Sequence, residues 1–232
     1  MTQACFSTAV PVIAIDGPSG AGKGTISRAV ADALHWQLLD SGALYRLVAL
    51  AARRAGVELD DAAALARLAT RADIRFGSGS GGEERVWLDG TLVTGDIRTE
   101  AAGGDASRVA AIPAVRAALL ARQRAFAVPP GLVADGRDMG TVVFPGAEVK
   151  IFLTASAEER ALRRHNQLKE KGVAATLAAL SLEIAERDRR DISRSASPLV
   201  ASAEAVVLDT TGVPVNAVVS RVLEIARTRL GS

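Results

Sequence analysis

The sequence predicts an α/β fold in which a five-stranded parallel sheet is flanked by helices. Short apolar runs alternate along the chain with longer stretches whose apolar residues recur at helical spacing. The runs predicted as parallel strands span residues 12–15, 36–39, 132–135, 149–153 and 205–208. The main helices are predicted at about 23–34, 43–55, 114–126, 157–171, 175–194 and 215–230. Because such alternation is typical of parallel sheets with both faces covered, we expect helices on both sides of the sheet.

A different pattern interrupts this alternation between residues 73 and 93. Three runs, at 73–76, 85–88 and 91–93, have period two, and the pair Asp89-Gly90 between the last two is a strong hairpin signal. We therefore expect a small antiparallel insert that ends near Gly104. The next helix is predicted over about 107–111. Gly103 and Gly104 lie just before it, and each disfavours a helix by about 1 kcal/mol relative to alanine.

A glycine-rich segment between the first strand and the first helix, called here the phosphate loop (residues 17–25), has the spacing G-x-x-x-x-G-K. Glycines let backbone N–H groups approach a polyphosphate closely, and the start of the helix adds a favourable dipole. Lys23 is placed to put its charge on the β- and γ-phosphates. The alternative is a glycine-rich turn without a ligand. The residues predicted to bind phosphates are Gly17, Pro18, Ser19, Gly20, Ala21, Gly22, Lys23, Gly24 and Thr25.

Two observations concern a metal ion at this loop. The general pattern has Ser or Thr directly after the lysine, whereas this chain has Gly24 there and its hydroxyl one residue later, at Thr25. We therefore expect Mg²⁺ to be held mainly by phosphate oxygens and water, which it tolerates well. Asp135, at the end of a buried strand, suits a water-mediated contact to Mg²⁺. Its alternative role is to cap the following turn.

Composition and charge exclude several classes of protein. The chain has 232 residues, 49% of them hydrophobic, which is enough for a full core. Its 28 basic and 26 acidic residues nearly balance, so no global field indicates a nucleic-acid partner. A single cysteine, Cys5, excludes an intrachain disulfide framework. No apolar run reaches the roughly 18 residues of a membrane span and no secretory signal is recognisable, so we expect a cytoplasmic protein.

A charged stretch near the end of the chain offers guanidinium groups to a phosphate. On a helix, Arg187, Asp191 and Arg194 stand at i, i+4 and i+7 and share one face. Such a face can clamp a phosphate and accept hydrogen bonds from a ribose. The alternative is a solvated face held by salt bridges. Arg137 follows a buried strand and is also placed to meet a phosphate, because ligands of parallel sheets bind at the carboxyl ends of strands.

Taken together, these segments resemble the bacterial cytidylate kinase family. The resemblance covers about residues 11–228 and is carried, in the family's order, by GPSGAGKGT, LLDSGALYR, VRAALLARQRAF, ADGRDMGTVVFPGA and ERDRRDISRSASPL. It implies a P-loop NTPase-type core, with the antiparallel insert in the region that binds the nucleoside monophosphate (NMP) and a short helical lid. It also implies transfer of the γ-phosphoryl group of ATP to CMP or dCMP, with Mg²⁺ as cofactor.

The same resemblance divides the chain into parts. A loose leader (1–9) precedes a single kinase unit (10–230). Within this unit the core spans about 10–40, 112–155 and 195–230, the NMP-binding region 41–111 and the lid 156–172. We expect a monomer whose partners are the small molecules ATP and CMP or dCMP, without a nucleic acid or a membrane.

The resemblance further assigns residues to the substrates. It implies catalytic roles for Lys23, Arg137 and Arg187. Ser41 lines the acceptor pocket, and Asp191 binds the ribose. The acceptor phosphate is held by Arg46, Arg137 and Arg187 with Arg194 nearby, and the base is read by Ser107, Arg116 and Asp138. A helical lid that folds over ATP is implied for Arg160, Arg163 and Arg164, and Arg163 is assigned to ATP binding.

The base-reading assignment has a physical reason. Cytosine offers an amino donor at N4 beside acceptors at N3 and O2, whereas uracil offers a carbonyl and an N3–H. A carboxylate such as Asp138 accepts from N4 and an arginine such as Arg116 donates to N3 or O2, which favours cytosine. Uracil would leave buried polar groups unpaired.

The residues also allow other functions. One is a related small-acceptor kinase, either UMP-preferring or shikimate-type. Another is a nucleotide-binding switch without turnover. The chain has no N-K-x-D string for guanine, and its D-x-x-G match, Asp209 to Gly212, lies near the end.

Overall fold

The computed structural model describes residues 10–79, 83–170 and 172–231. Its strands are β1 (Val12–Asp16), β2 (Gln37–Asp40), β3 (Ile74–Ser78), β4 (Glu84–Leu88), β5 (Thr91–Leu92), β6 (Leu132–Asp135), β7 (Val149–Thr154) and β8 (Val206–Asp209). Its helices are α1 (Lys23–Leu34), α2 (Ser41–Arg54), α3 (Ala62–Arg71), α4 (Glu100–Val109), α5 (Pro113–Arg124), α6 (Ala157–Glu170), α7 (Leu177–Ile192) and α8 (Val215–Leu230). A 3₁₀ turn covers Asp96–Arg98 and a π-helical turn covers Met139–Val143. The predicted leader, with Cys5, and residue 171 of the lid lie outside the described residues.

The strands form two sheets, which confirms the predicted fold class. Five strands make a parallel sheet in the order β2-β6-β1-β7-β8, and β3, β4 and β5 make a separate antiparallel sheet. Because β1 lies between β6 and β7, the phosphate loop leaves the middle of the parallel sheet. In the pairing of β2 with β6, Asp40 lies opposite Asp135, so the ends of two further strands lie beside the loop.

Helices cover both faces of the parallel sheet. Side chains alternate along a strand, so Ile13 and Ile15 of β1 pack in the core under α1 and α8. Val12 and Ala14 pack on the opposite face, in the core under α2 and α5. A third hydrophobic cluster joins the antiparallel sheet to α2. Because α2 follows β2 directly, this packing holds the insert near the carboxyl ends of the parallel strands.

Two predicted boundaries differ from the structure. Helix α2 begins at Ser41, earlier than predicted, because Asp40 Oδ1 accepts the N–H of Ala43 at 3.0 Å and caps the helix. The prediction of a helix starting at Ser107 was wrong, since α4 begins at Glu100 and includes both glycines. The Thr99 hydroxyl caps α4, and α4 packs along α2. Capping and tertiary packing therefore outweigh the low helix propensity of glycine here.

Among the described residues, no helix has both the length and the apolar character needed to cross a membrane.

Candidate active site

The phosphate loop connects β1 to α1, as predicted. Gly17, Gly20 and Gly22 have positive φ angles of 145°, 79° and 87°. At Gly17 a Cβ would lie 2.1 Å from the carbonyl oxygen of Leu153, so a larger residue cannot be accommodated there. Lys23 folds back over the loop, and its Nζ donates a hydrogen bond of 2.9 Å to the carbonyl of Pro18. All the residues predicted to bind phosphates are thus brought around one turn.

Lys23 lies in surroundings that favour a bound anion. Burial lowers the pKa of Lys23 to about 7, and the nearby Arg137 and Arg187 lower it as well, whereas Asp135 and Asp191 act in the opposite direction. A buried cation with cationic neighbours is stabilised when an anion neutralises the group. The loop therefore has the electrostatics of a phosphate site.

Asp135 is the candidate for holding a metal ion beside the loop. A Cβ added at Gly24 would lie 3.6 Å from Asp135 Oδ2, so the carboxylate reaches the first turn of α1. Burial raises the pKa of Asp135 to about 6, although Lys23 lowers it. The described part of the chain has no cluster of three or more His, Cys, Asp or Glu side chains suited to a metal. One carboxylate with phosphate oxygens and water is a donor set that Mg²⁺ commonly takes, so the residues fit this ion.

Arg137 and Arg194 converge on Asp191, across the cleft from Lys23. Arg137 Nε donates to Asp191 Oδ2 at 2.9 Å, and Arg194 Nη2 donates to Oδ1. Burial alone would raise the pKa of Asp191, but the two arginines outweigh it and the pKa is lowered. Asp191 therefore orders the two guanidinium groups. Each carboxylate oxygen still has a lone pair for a further donor such as a ribose hydroxyl.

Arg187 differs from its neighbours because it forms no salt bridge with the described residues. Within the described residues its Nε is buried without a hydrogen-bond partner, and no salt bridge of Arg187 is present. Burial lowers the pKa of Arg187 to about 9, and Arg137 lowers it as well, whereas Asp191 raises it. Arg46 lies nearby, with Nη1 bonded to the carbonyl of Ile97 at 2.7 Å, and burial lowers its pKa too. A largely buried guanidinium without an ion-pair partner is costly, and a phosphate would supply such a partner.

A buried ion pair occupies the far end of the cleft. Arg116 Nη2 donates to Asp138 Oδ2, and the two side chains are 8% and 4% exposed. The Arg116 guanidinium also lies 5.6 Å from the centre of the Tyr45 ring. Arg116 Nε and Ser107 Oγ are buried without partners in the described part of the chain. Buried polar atoms are normally satisfied, so this group has the properties of a polar ligand site.

Two residues of the site had no predicted role. Tyr45 lies one helical turn after Ser41 on α2, so the i, i+4 spacing could have revealed it. Asp16 accepts hydrogen bonds of 2.8 Å from the backbone N–H groups of Met139 and Gly140. It thereby anchors the π-helical turn that follows Asp138, a long-range contact with no local sequence signal. Burial raises the pKa of Asp16 to about 6, although the two N–H groups lower it.

The predicted lid arginines do not all have the same surroundings. Arg163 lies beside the phosphate loop, with its Nη1 at 3.7 Å from the position of a Cβ on Gly22, and it bonds to Glu159 and Thr210. Arg164 forms a salt bridge with Glu100, at the start of α4. Arg160 is buried, and every hydrogen bond it makes is to the protein. The part of Arg160 in a lid over ATP therefore stays a prediction.

One cleft of about 1330 Å³ connects these groups. It is lined by Lys23 and Arg163 at one end, by Arg187 in the middle and by Ser107 and Asp138 at the other. Single small-molecule sites usually occupy roughly 300–1000 Å³. The cleft therefore has room for two ligands, with cationic side chains where they would meet.

Comparison with known proteins gives the family. The sequence profile described as Cytidylate kinase matches residues 13–228. A cytidylate kinase of Colwellia psychrerythraea is 56% identical over 95% of this chain and 97% of its own length. Those of Marinomonas sp. and Escherichia coli O1:K1 / APEC are also 56% identical, over 91% and 95% of this chain and 93% and 96% of their own lengths. The resemblance predicted from the sequence is thus confirmed, and the chain belongs to the cytidylate kinase family.

Proposed function

We propose that the protein transfers the γ-phosphoryl group of ATP to CMP or dCMP, giving ADP and CDP or dCDP. The observation that carries this proposal is the cleft with the phosphate loop at one end and the Arg116–Asp138 pair at the other. Between them lies Arg187, a half-buried cation whose Nε has no hydrogen-bond partner among the described residues. Family membership supports the same reaction.

The proposed chemistry needs no general base. The nucleophile is a phosphate oxygen of the acceptor, largely ionised at neutral pH. Lys23, Arg137 and Arg187 would align the two phosphates and neutralise the charge that spreads over the transferred group. Mg²⁺, when bound through phosphate oxygens and water near Asp135, supplies further neutralisation of that charge. The arginine partners of Asp191 keep the acceptor phosphate in line with the loop.

The preference for cytosine follows from the hydrogen-bonding capacity left in the Arg116–Asp138 pair. Asp138 uses Oδ2 for Arg116, and Oδ1 has no hydrogen bond to the described residues, so it can accept from the N4 amino group. Arg116 Nε is a buried donor without a partner and can donate to N3 or O2. Uracil presents an acceptor at O4 and a donor at N3, which is the opposite polarity at these two positions, whereas O2 is an acceptor in both bases. Ser107, Ser41 and Tyr45 complete the polar surroundings of the base and sugar.

The surroundings of the reaction are also proposed. ATP and CMP are intracellular nucleotides, so the activity would belong to pyrimidine metabolism in the cytoplasm. We propose that a monomer suffices, because both ends of the cleft come from one chain. ATP binding would involve the phosphate loop and Arg163.

The test is a comparison of CMP, dCMP, UMP and AMP as acceptors with ATP as donor, measured as kcat/KM. We expect CMP and dCMP to exceed UMP and AMP. A higher kcat/KM for UMP or AMP would overturn the cytidylate assignment in favour of another small-acceptor kinase. Preferential GTP binding without transfer to any acceptor would instead indicate a switch.

A further inference from the structure

Arg160 is the arginine of α6 that the proposed chemistry does not use. Its side chain is 7% exposed, and its donors are taken by protein groups. Nε donates to the carbonyl of Ala155 at 3.1 Å. Nη1 donates at 3.1 Å both to the carbonyl of Ser19 and to Asp188 Oδ1, and Nη2 donates to Asp188 Oδ2 at 2.7 Å. Arg160 therefore joins three segments that are distant in the sequence.

One of these segments is the phosphate loop. Besides the hydrogen bond to Ser19, a Cβ placed on Gly20 would lie 3.0 Å from Arg160 Cβ. The backbone of the loop thus packs directly against the start of this side chain. Because the Ser19 carbonyl is held from outside the loop, Arg160 stabilises the loop conformation present here.

The second segment is α7, next to the groups that face the acceptor. Asp188 follows Arg187 directly and precedes Asp191 by three residues. It forms a bidentate pair with Arg160, the geometry that fixes a carboxylate most tightly. Arg187 has no hydrogen bond of its own to the described residues, so the position of its guanidinium depends on where α7 lies.

We propose that the Arg160–Asp188 pair is a strut that couples the two substrate sites, so that ATP bound in the phosphate loop raises the affinity for CMP. This inference rests on the proposed function. Phosphates that bind the N–H groups of the loop favour the conformation in which the Ser19 carbonyl points to Arg160. In that conformation Arg160 holds Asp188, and therefore α7 with Arg187, at the acceptor end of the cleft. Coupling between two sites is reciprocal, so CMP raises the affinity for ATP by the same factor.

The test is calorimetric titration of CMP with and without a non-hydrolysable ATP analogue, and of the analogue with and without CMP. The wild-type protein should show each ligand strengthening the other by about fivefold or more. In Asp188→Asn the coupling factor should fall towards one, while each ligand alone still binds. No coupling in the wild-type protein, or unchanged coupling in the variant, would contradict the proposal that Arg160 and Asp188 couple the two sites.

A second variant separates coupling from folding. Removing one partner leaves a buried charge, whereas replacing both by apolar residues is often neutral for stability. Arg160→Met combined with Asp188→Leu should therefore unfold near the wild-type temperature and still lack coupling. Wild-type coupling in this double variant would contradict the proposal.

A matched control removes an ion pair elsewhere. Glu224→Gln on α8 breaks the exposed pair with Arg221, whose atoms are 2.5 Å apart, and should leave the coupling factor unchanged. Failure of the wild-type protein to bind CMP at all would refute the proposed function, which is a different outcome from binding without coupling.

Discussion

The phosphate loop and the acceptor end of the cleft are built in different ways. The loop is one continuous segment, and its shape depends on the backbone freedom of Gly17, Gly20 and Gly22. The acceptor end gathers side chains from α2, α4, α5, the turn after β6, and α7. Local backbone geometry thus determines the first site, whereas long-range packing and ion pairs determine the second.

The two ends also differ in how their charges are compensated. At the acceptor end, Arg116 pairs with Asp138, and both Arg137 and Arg194 pair with Asp191. Among the described residues, Lys23 in the loop has one hydrogen-bond partner, the backbone carbonyl of Pro18, and forms no salt bridge. Arg187 lies between the two ends and has no partner among the described residues. The uncompensated cations therefore lie where two phosphates would meet, and the compensated ones lie around them.

The largest expected effects come from removing the uncompensated cations. Lys23→Ala and Arg187→Ala should each lower kcat/KM by at least about 100-fold, the scale for losing one group that stabilises transition-state charge. Lys23→Ala should act on the kinetics of ATP, and Arg187→Ala should raise KM for CMP. Arg189→Ala, an exposed arginine on the same helix, is the control and should have little effect. Near-normal turnover in either variant would contradict the assignment.

Asp16 directly precedes the phosphate loop and also holds the turn that follows Asp138 at the acceptor end. Its contribution to the free energy of unfolding should depend on pH. Its raised pKa of about 6 means that the folded protein retains a proton that the unfolded chain has already lost. The stability from this proton is present below about pH 4 and is lost as the pH rises through about 6. Relative to Asp16→Asn, the wild-type free energy of unfolding should fall by about 3 kcal/mol between pH 4 and pH 7.5. Urea unfolding of the wild-type protein and of the variant at each pH measures this change. If the difference between their free energies of unfolding does not vary with pH, the raised pKa of Asp16 is contradicted.

Asp138→Asn tests base recognition at the compensated end. The amide keeps an oxygen for Arg116 but can also donate to the O4 carbonyl of uracil. The ratio of kcat/KM for CMP to that for UMP should fall by about 5- to 150-fold, equivalent to about 1–3 kcal/mol. The ratio for CMP to dCMP is an internal control and should not change, because both carry cytosine. An unchanged CMP to UMP ratio would assign Asp138 to structure.

The smallest expected effect concerns α4, the helix whose start was wrongly predicted from the sequence. Gly104 is exposed inside α4, and a Cβ there would meet no atom within 4 Å. Gly104→Ala should therefore raise the free energy of unfolding by about 1 kcal/mol, with the kinetics unchanged. Thermal unfolding measures this gain. A loss of stability would mean that α4 needs the flexibility of glycine.

Prediction from the sequence succeeded where the signal is local. The parallel sheet, the antiparallel insert and the phosphate loop follow from periodicity and turn residues, and the structure contains all three. The residues expected to bind the acceptor are brought to one cleft, while their individual roles stay predictions. The start of α4 was mispredicted although Thr99 is a local capping signal, because packing against α2 has no signature in the local sequence.

The sequence by itself determined the fold class, the family and the position of the phosphate loop, since these depend on residue spacing along short segments. Only the tertiary structure decided which arginines are compensated. Arg160 and Arg187 cannot be told apart by composition, yet one is bonded to Asp188 and Ser19 and the other has no partner among the described residues. The free energy of a buried charge depends on the groups that folding brings around it, and those groups come from distant parts of the chain.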